Sequence, residues 1–389
     1  MGWTGAQYSL YRAALAGVGA WTLCTALGPF ASARPGPTLL VLFAKMLVAL
    51  AAFALAAGFR DRIAALMLVA FVAGTELFAG RVLTLPSWTS LFTERAGGLL
   101  AALLWLHVAT PRAPFGAFEA RGRIDPRGGW QRPAWMTELG WALLLVFAAA
   151  PMIVGDEPRD DVVGLFRSIP EIAAAALGLA LRSLRPAAWS ALLLWHLAHL
   201  FAFGAVPGES SRLLLILFAA DPGAWRGRSL VRSDARVHRD AALARSAETI
   251  PARLFYDGDC GFCHRSVRFV LAEELATPEP LRLRFAALGG PSFQDCLARH
   301  PELDPASLPD SIVLELEDGT IRTRSAAALE IAARLGGFWR FLALVGSRLP
   351  SGLLDAGYDA IARVRKRLFA QPKDACPILP PALRARFDA

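Results

Sequence analysis

Two cysteines, Cys260 and Cys263, are the side chains of this 389-residue chain whose type and spacing best suit chemistry. The apolar run Leu254-Phe255-Tyr256 precedes them and predicts a strand, and the residues after Gly261 predict a helix. A cysteine at the first turn of a helix lies among unpaired backbone N–H groups at the positive end of the helix dipole, so its thiolate is favoured. The second thiol, one turn further on, can close a disulfide. The pair therefore predicts a redox dithiol, with both sulfur atoms facing solvent at the helix start.

A Cys-x-x-Cys pair can also be half of a structural zinc site. The side chains that could complete such a site are Cys296, Cys376, His264 and His300. None of them stands at ligand spacing from the pair. We therefore expect no metal, and no cofactor other than a redox-active Cys260–Cys263 disulfide.

The other two cysteines of this region have different contexts. Cys296 lies in an apolar helical segment, which predicts a buried core thiol. Cys376, in Asp374-Ala375-Cys376-Pro377, is either a third redox thiol or a packed one.

The composition shows that the dithiol is only part of the molecule. The chain is 55% hydrophobic, with a mean hydropathy of +0.41, and its apolar runs are concentrated before about residue 222. This pattern predicts an integral membrane protein with a soluble tail. A net charge of +8 could suggest nucleic-acid binding, but the arginines lie mostly between apolar spans and just after the last one, as in membrane proteins. Five cysteines are too few for a secreted disulfide framework and favour a reducing cytosol.

Eight apolar runs are long enough, or nearly so, to cross the hydrocarbon core of a bilayer. They are 13–30, 38–59, 63–79, 96–110, 135–154, 169–184, 188–206 and 211–220. The fourth and eighth are short, and one of them could be re-entrant. The first could instead be a cleaved signal peptide ending at Ala31-Ser32-Ala33, but seven later spans favour an uncleaved helix.

The loop charges predict the orientation of these spans. Arginines follow the second, fourth, sixth and eighth spans, whereas the loop after the fifth, Asp156-Glu157-Pro158-Arg159-Asp160-Asp161, is mainly acidic. The positive-inside rule then places both termini in the cytoplasm of a bacterial inner membrane.

The predicted organisation has three parts: an eight-helix transmembrane domain at 1–221, an Arg-rich linker at 222–250, and a soluble α/β domain at 251–389. In the α/β domain we expect strands at 253–257, 281–287, 311–317 and 321–323, the last two joined across Asp318-Gly319. Helices are expected at 262–275, 292–299 and 325–335, the last with Ser325 as N-cap. This order is that of a thioredoxin-like fold. Two amphipathic helices, 338–349 and 353–369, would follow and dock either on the bilayer or on their own sheet.

Residues 253–376 resemble the DCC family of thiol-disulfide oxidoreductases, named for Asp-x-x-Cys-x-x-Cys, here Asp257, Cys260 and Cys263. Further segments match as well: Ser266-Val267-Arg268-Phe269, Ser311-Ile312-Val313-Leu314, and Tyr358-Asp359-Ala360-Ile361-Ala362 with Arg363 and Arg365. The resemblance implies that Cys260 attacks a disulfide as a thiolate and that Cys263 resolves the mixed disulfide. The partner would be a protein or small-molecule thiol or disulfide.

Asp257, at the end of the first predicted strand, has two opposing effects on this chemistry. It could accept the proton of the resolving thiol, yet its charge also disfavours a neighbouring thiolate. Asp257 or Asp259 could instead be the N-cap of the helix.

Two other functions compete with redox catalysis. A membrane scaffold could use its DCC domain only to bind a partner. The segment Leu254-Phe255-Tyr256-Asp257-Gly258-Asp259 also resembles the Asp-x-Asp strand end of haloacid dehalogenase-type phosphatases. That family expects Thr or Val where Gly261 stands, and its later acidic pair is absent from the sequence.

The membrane half resembles the horizontally transferred transmembrane (HTTM) domain of vitamin K-dependent carboxylase-like proteins, through Trp195-His196-Leu197-Ala198-His199 and the segment 213–225. Ionisable residues within spans are costly and functional by default; they are Lys45, Glu76, His107, Glu138, Glu171, His196 and His199. The i, i+3 spacing of His196 and His199 is compatible with haem, metal or quinone binding, and the alternative is interhelical hydrogen bonding. Lys45 invites comparison with an intramembrane base.

Overall fold

The computed structural model describes residues 3–27, 35–78, 96–126, 128, 130–154, 162–204, 207–220, 251–274, 282–303, 312–368 and 379–388. The chain is mostly helical, with one small mixed sheet. It divides into a helical unit, Gly2–Arg121 with Trp130–Ala224, and an α/β unit that consists mainly of Trp225–Ala389. The linker predicted at 222–250 lies outside the described residues, as do the acidic loop and the last arginine cluster used to predict orientation.

A helix covers most of each of the eight predicted spans. These helices are α1 (Gly5–Ala26), α2 (Pro35–Ala57), α3 (Asp61–Phe78), α4 (Ala96–Ala109), α5 (Trp135–Val154), α6 (Val162–Ala180), α7 (Arg185–Phe203) and α8 (Pro207–Ala219). Three of them begin earlier than the apolar runs do. In α1 the additional turns bury Tyr8, Tyr11 and Arg12, and Arg12 lies 3.7 Å from Asp61 of α3. Packing between helices therefore extends α1 beyond the part that hydropathy predicts.

One helical segment, Leu39–Ala57 in α2, is long and apolar enough by itself to cross a membrane. Gly97–Ala109, Trp135–Ala150 and Ser168–Ala180 are apolar but shorter. Several large apolar side chains of α2 point outward from the unit, and Phe53 is 74% exposed. The eight membrane crossings remain a prediction.

The α/β unit contains four strands and six helices among its described residues. They follow in the order β1 (Arg253–Tyr256), α9 (Gly261–Glu273), β2 (Arg284–Ala287), α10 (Pro291–Arg299), β3 (Val313–Glu315), β4 (Ile321–Thr323), α11 (Arg324–Leu335), α12 (Gly337–Gly346), α13 (Ser351–Leu368) and α14 (Pro381–Arg384).

The sheet has the strand order β2-β1-β3-β4. Strand β1 pairs parallel to β2 and antiparallel to β3, and β3 pairs antiparallel to β4. The hairpin predicted across Asp318-Gly319 is confirmed, and Gly319 adopts the left-handed φ of 78° that this turn requires.

Alternate residues of β1 reach the two faces of this sheet, as expected for a strand. Leu254 and Tyr256 belong to the core that includes both dithiol cysteines and apolar residues of α9 and α11. Phe255 belongs to a second core with Phe293 and Cys296 of α10. The prediction that Cys296 is a buried core thiol is confirmed.

The prediction that Ser325 caps a helix is wrong. Helix α11 begins at Arg324 with Thr323 as N-cap, because β4 leads directly into the helix. The Ser325 hydroxyl instead donates a hydrogen bond to the Asp355 carboxylate of α13. This contact ties α13 to α11.

A short C-terminal segment extends the sheet beyond β2. The backbone N–H of Phe285 donates to the Arg386 carbonyl over 2.9 Å, and the N–H of Asp388 donates to the Phe285 carbonyl over 2.8 Å. The Asp388 carboxylate accepts hydrogen bonds from Arg253 and Arg284. This segment therefore covers what would be an open edge of the sheet.

Candidate active site

The turn between β1 and α9 is built from the polar residues that follow Tyr256. The Asp257 Oδ1 accepts a hydrogen bond from the Asp259 N–H over 3.0 Å, which is an Asx turn. The Asp257 carbonyl accepts from the Cys260 N–H, and the His264 Nε2 lies 2.7 Å from the Gly258 carbonyl oxygen. These local bonds fix the direction in which the chain enters α9.

The N-cap of α9 is Cys260, so the alternative in which Asp257 or Asp259 caps the helix is wrong. Cys260 has the extended backbone of an N-cap, with φ −96° and ψ 110°. Its Sγ accepts a hydrogen bond from the backbone N–H of Cys263 over 3.2 Å. A thiolate at this sulfur would be stabilised by that donor and by the helix dipole. Both cysteines are free thiols.

The expectation that both sulfurs face solvent is wrong. Cys260 is 2% exposed and Cys263 is 3% exposed, and both belong to the core that contains Leu254 and Val267. The first turn of α9 is packed into the unit, and α13 packs against α9 as well. Sequence reasoning treated α13 as a separate amphipathic element and did not connect it with the dithiol.

The environment of Cys263 keeps its thiol protonated at neutral pH. Burial is the main cause, and the hydrogen bond with Cys260 and the negative charge of Asp257 act in the same direction, whereas the charge of Arg365 opposes them. The result is a pKa of about 12 for the Cys263 thiol. If Cys263 is a resolving thiol, it must lose its proton during the reaction.

Tyr358 and Arg365 of α13 are site residues whose role sequence reasoning missed. The Tyr358 Oη accepts a hydrogen bond from the Ile312 N–H over 3.0 Å, at the residue just before β3. Burial raises the pKa of Tyr358, and the charges of both Arg365 and Cys263 act on its hydroxyl. The two residues are seven apart and so share one face of the helix, a spacing in the quoted family motif that could have revealed them.

Cys296 has a separate polar environment on the other face of the sheet. Within the described ranges, Cys296, His300 and Glu315 form a group whose potential metal-ligating atoms all lie within 4.8 Å of one another. However, Arg299 donates to both carboxylate oxygens of Glu315, over 2.7 and 2.9 Å. A cation would have to displace that guanidinium, so the group is better described as a closed ion pair. Burial is the main reason that the pKa of Cys296 is raised to about 11. Cys376 lies outside the described residues.

In the helical unit, His196 forms an interhelical hydrogen bond. Its Nδ1 lies 2.8 Å from the Glu209 carboxylate of α8, and its Nε2 lies 3.8 Å from Glu171 of α6. His199, in contrast, has its ring 5.2 Å from that of Trp195. For His196 the interhelical alternative is therefore confirmed, and these contacts do not bring the two histidines to a common partner.

The remaining ionisable residues of the spans have varied environments. His107 is buried with its Nδ1 2.8 Å from the Tyr8 hydroxyl, and Glu138 pairs with Arg185. Lys45 is half-buried on α2, and the side chain of Glu76 lies outside the described ones.

Comparison with known proteins places the dithiol region in a family. A model of the family described as DCC1-like thiol-disulfide oxidoreductase matches residues 254–371. The uncharacterized protein YuxK of Bacillus subtilis (strain 168) is 32% identical over 143 residues, which cover 36% of this chain and 98% of that protein. No solved structure matches the chain. Through its α/β unit, the chain therefore belongs to the DCC1-like thiol-disulfide oxidoreductase family.

Proposed function

We propose that this protein is a membrane-anchored enzyme that exchanges thiols and disulfides through Cys260 and Cys263. The observation that carries the proposal is the position of the Cys260 Sγ at the N-cap of α9, where it accepts the Cys263 N–H. Membership of an oxidoreductase family supports the same chemistry. The polypeptide contributes the thioredoxin-like arrangement, in which a strand end delivers the first cysteine to a helix start.

In the proposed reaction the Cys260 thiolate attacks one sulfur of a substrate disulfide. A mixed disulfide forms, the substrate S–S bond breaks, and one substrate thiolate leaves. Cys263 then loses its proton and attacks the Cys260 Sγ, which forms the Cys260–Cys263 disulfide and releases the second substrate thiolate. Two electrons pass from the dithiol to the substrate, and the reverse sequence oxidises a substrate dithiol.

Asp257 acts on the second step of this sequence. Its carboxylate ends β1 beneath the dithiol, and its charge already acts on Cys263. We assign it as the acceptor of the Cys263 proton, because a thiol with a pKa of about 12 needs a base at neutral pH.

Access to the dithiol requires a movement, since both sulfurs are buried. Helix α13 is the element best placed to move. It packs against α9, and it is held through Tyr358 at Ile312 and through Asp355 at Ser325. A substrate that displaces these contacts would expose the Cys260 Sγ.

The helical unit is proposed to anchor the enzyme as an HTTM-like domain that crosses a bacterial inner membrane, with the α/β unit in the cytoplasm. The apolar segment Leu39–Ala57 supports this, as do exposed side chains such as Phe53 and Phe201, which are unfavourable in water. Single cysteines introduced into loops of the full-length protein test it: labelling by a membrane-impermeant maleimide should alternate from one side of the vesicle to the other along the chain. Uniform labelling of every loop from one side would contradict a multi-pass anchor.

The experiment that tests catalysis is trapping of the mixed disulfide. Full-length Cys263→Ser, exposed to a disulfide challenge, should accumulate a covalent adduct on Cys260 that dithiothreitol releases. Cys260→Ser should accumulate none. An empty trap, together with full function of the double Ser variant, would instead support the non-catalytic scaffold.

A further inference from the structure

Arg365 is a buried guanidinium whose hydrogen-bonding capacity is largely unused. It is 3% exposed, and its Nε and Nη2 donors have no hydrogen-bond partner among the residues that the structure describes. Burying a cation is expensive unless an anion or several acceptors compensate it. An arginine in this state therefore points to an anion that is present in only some states of the protein.

The dithiol is the group next to Arg365 that can change its charge. Helix α13 packs against α9, whose start carries Cys260 and Cys263. Arg365 lies close enough to act electrostatically on Cys263, and it also acts on the hydroxyl of Tyr358. The hydrogen bond from Ile312 to Tyr358 holds this face of α13 toward the site.

The other charged groups near this position have partners of their own. Asp257 holds the turn before α9, Asp355 accepts from Ser325 of α11, and Asp359 lies 3.8 Å from Arg324. The sulfur pair is thus the remaining source of negative charge beside the guanidinium among the described residues.

We infer that Arg365 is the counter-ion of the dithiol, and that its two unused donors hold the negative charge that the reduced pair carries. This deepens the proposed function and rests on it. Arg365 is a positioning residue: it exchanges no atoms with the substrate. Reduction of the Cys260–Cys263 disulfide by two electrons and one proton gives one thiolate and one thiol, and the thiolate receives the guanidinium. In the disulfide state the guanidinium loses this anion. Arg365 therefore favours the reduced pair and makes the protein more oxidising.

The test is the thiol-disulfide equilibrium of the full-length protein in glutathione redox buffers, read by alkylation of free thiols. Arg365→Gln should lower the equilibrium constant for reduction about tenfold, which corresponds to a potential about 30 mV more reducing. Arg365→Lys keeps the charge and should stay within about threefold of the unaltered protein. The matched control is Arg363→Gln, an exposed arginine on the same helix, which should change nothing. An unchanged constant in Arg365→Gln overturns the inference.

A second measurement needs no variant and covers the case in which Arg365→Gln does not fold. If the reduced pair carries one thiolate, its equilibrium constant for reduction changes about tenfold per pH unit between about pH 7 and 9; if both thiols are protonated, it changes about a hundredfold. The hundredfold dependence throughout this range would overturn the inference. A pair that forms no disulfide in any buffer would instead refute the proposed function, so the two failures are distinguishable.

Discussion

The Cys263 N–H lies 3.2 Å from the Cys260 Sγ and donates a hydrogen bond to it, so the second cysteine of the motif serves the first through its backbone as well as its thiol. This places the first sulfur at the positive end of α9 and leaves the second thiol inside the helix. The two cysteines therefore have unequal chemical environments, as attack followed by resolution requires. Four predictions follow from the contacts around this pair and the sheet below it.

Asp257→Asn should slow resolution of the mixed disulfide by about 100-fold near pH 7, because the Cys263 thiol would lose its proton acceptor. In the variant the rate should rise about tenfold per pH unit, since free thiolate must then form first. Single-turnover kinetics of the full-length protein measure both effects. Asp259→Asn, an exposed neighbour, is the control. A rate that increases in Asp257→Asn would show that the carboxylate acts only by repelling the thiolate.

Alkylation of Cys263 should depend steeply on pH. Its pKa of about 12 means that the thiolate fraction is small at neutral pH and grows as pH rises. In Cys260→Ser, which leaves Cys263 as the thiol of the motif, we expect the rate of modification by iodoacetamide to rise about tenfold per unit from about pH 7 to 9 without a plateau. Peptide mass spectrometry follows this residue directly. A plateau below pH 9 would be inconsistent with the burial described for Cys263.

Tyr358→Phe should make the dithiol more accessible. The substitution removes the acceptor of the Ile312 N–H and one of the contacts that hold α13 in place. An unsatisfied buried donor costs about 1–3 kcal/mol, enough to increase local opening at least several-fold. The measured quantity is the rate at which both motif cysteines react with a maleimide, compared with Asp359→Asn as a control on the same helix. Equal rates in all three proteins would show that α13 does not limit access.

Asp388 should stabilise the edge of the sheet in a pH-dependent way. Burial alone would raise the pKa of this carboxyl, but hydrogen bonds from Arg284 and Arg253 outweigh it and hold the pKa below its ordinary value. A carboxyl with a lowered folded-state pKa stabilises the fold above its unfolded pKa of about 4, and this stability is lost as pH falls through the folded pKa.

We therefore expect Asp388→Asn to lower the protection of β2 amides by about 2 kcal/mol at pH 7 and to have little effect in strong acid. Hydrogen exchange of peptides covering β2 measures this in the full-length protein. The exposed Asp295→Asn serves as the control. The same loss of protection at every pH would contradict an ionic cause.

The features that sequence predicted correctly depend on local chemistry. The turn at Asp318-Gly319 requires a left-handed residue, and glycine supplies it. The strand and helix around Cys260 follow from periodicity within a few residues. The eight helices of the first unit follow from apolar composition alone.

The features that sequence missed depend on contacts between distant residues. Cys260 and Cys263 are buried because α9 packs into the core and against α13, about ninety residues later in the chain. Ser325 is not a cap because its hydroxyl bonds to Asp355. Arg12 extends α1 because Asp61 of another helix lies beside it. Neither periodicity nor spacing contains this information.

A redox titration of the full-length protein tests the central claim most directly, with the thiol state of Cys260 and Cys263 read by alkylation and mass spectrometry. The account predicts a single two-electron transition between dithiol and disulfide, with both cysteines changing together and with the transition abolished in Cys260→Ser. Thiols that stay fully alkylatable at every potential, or a Cys263 that changes state without Cys260, would contradict it.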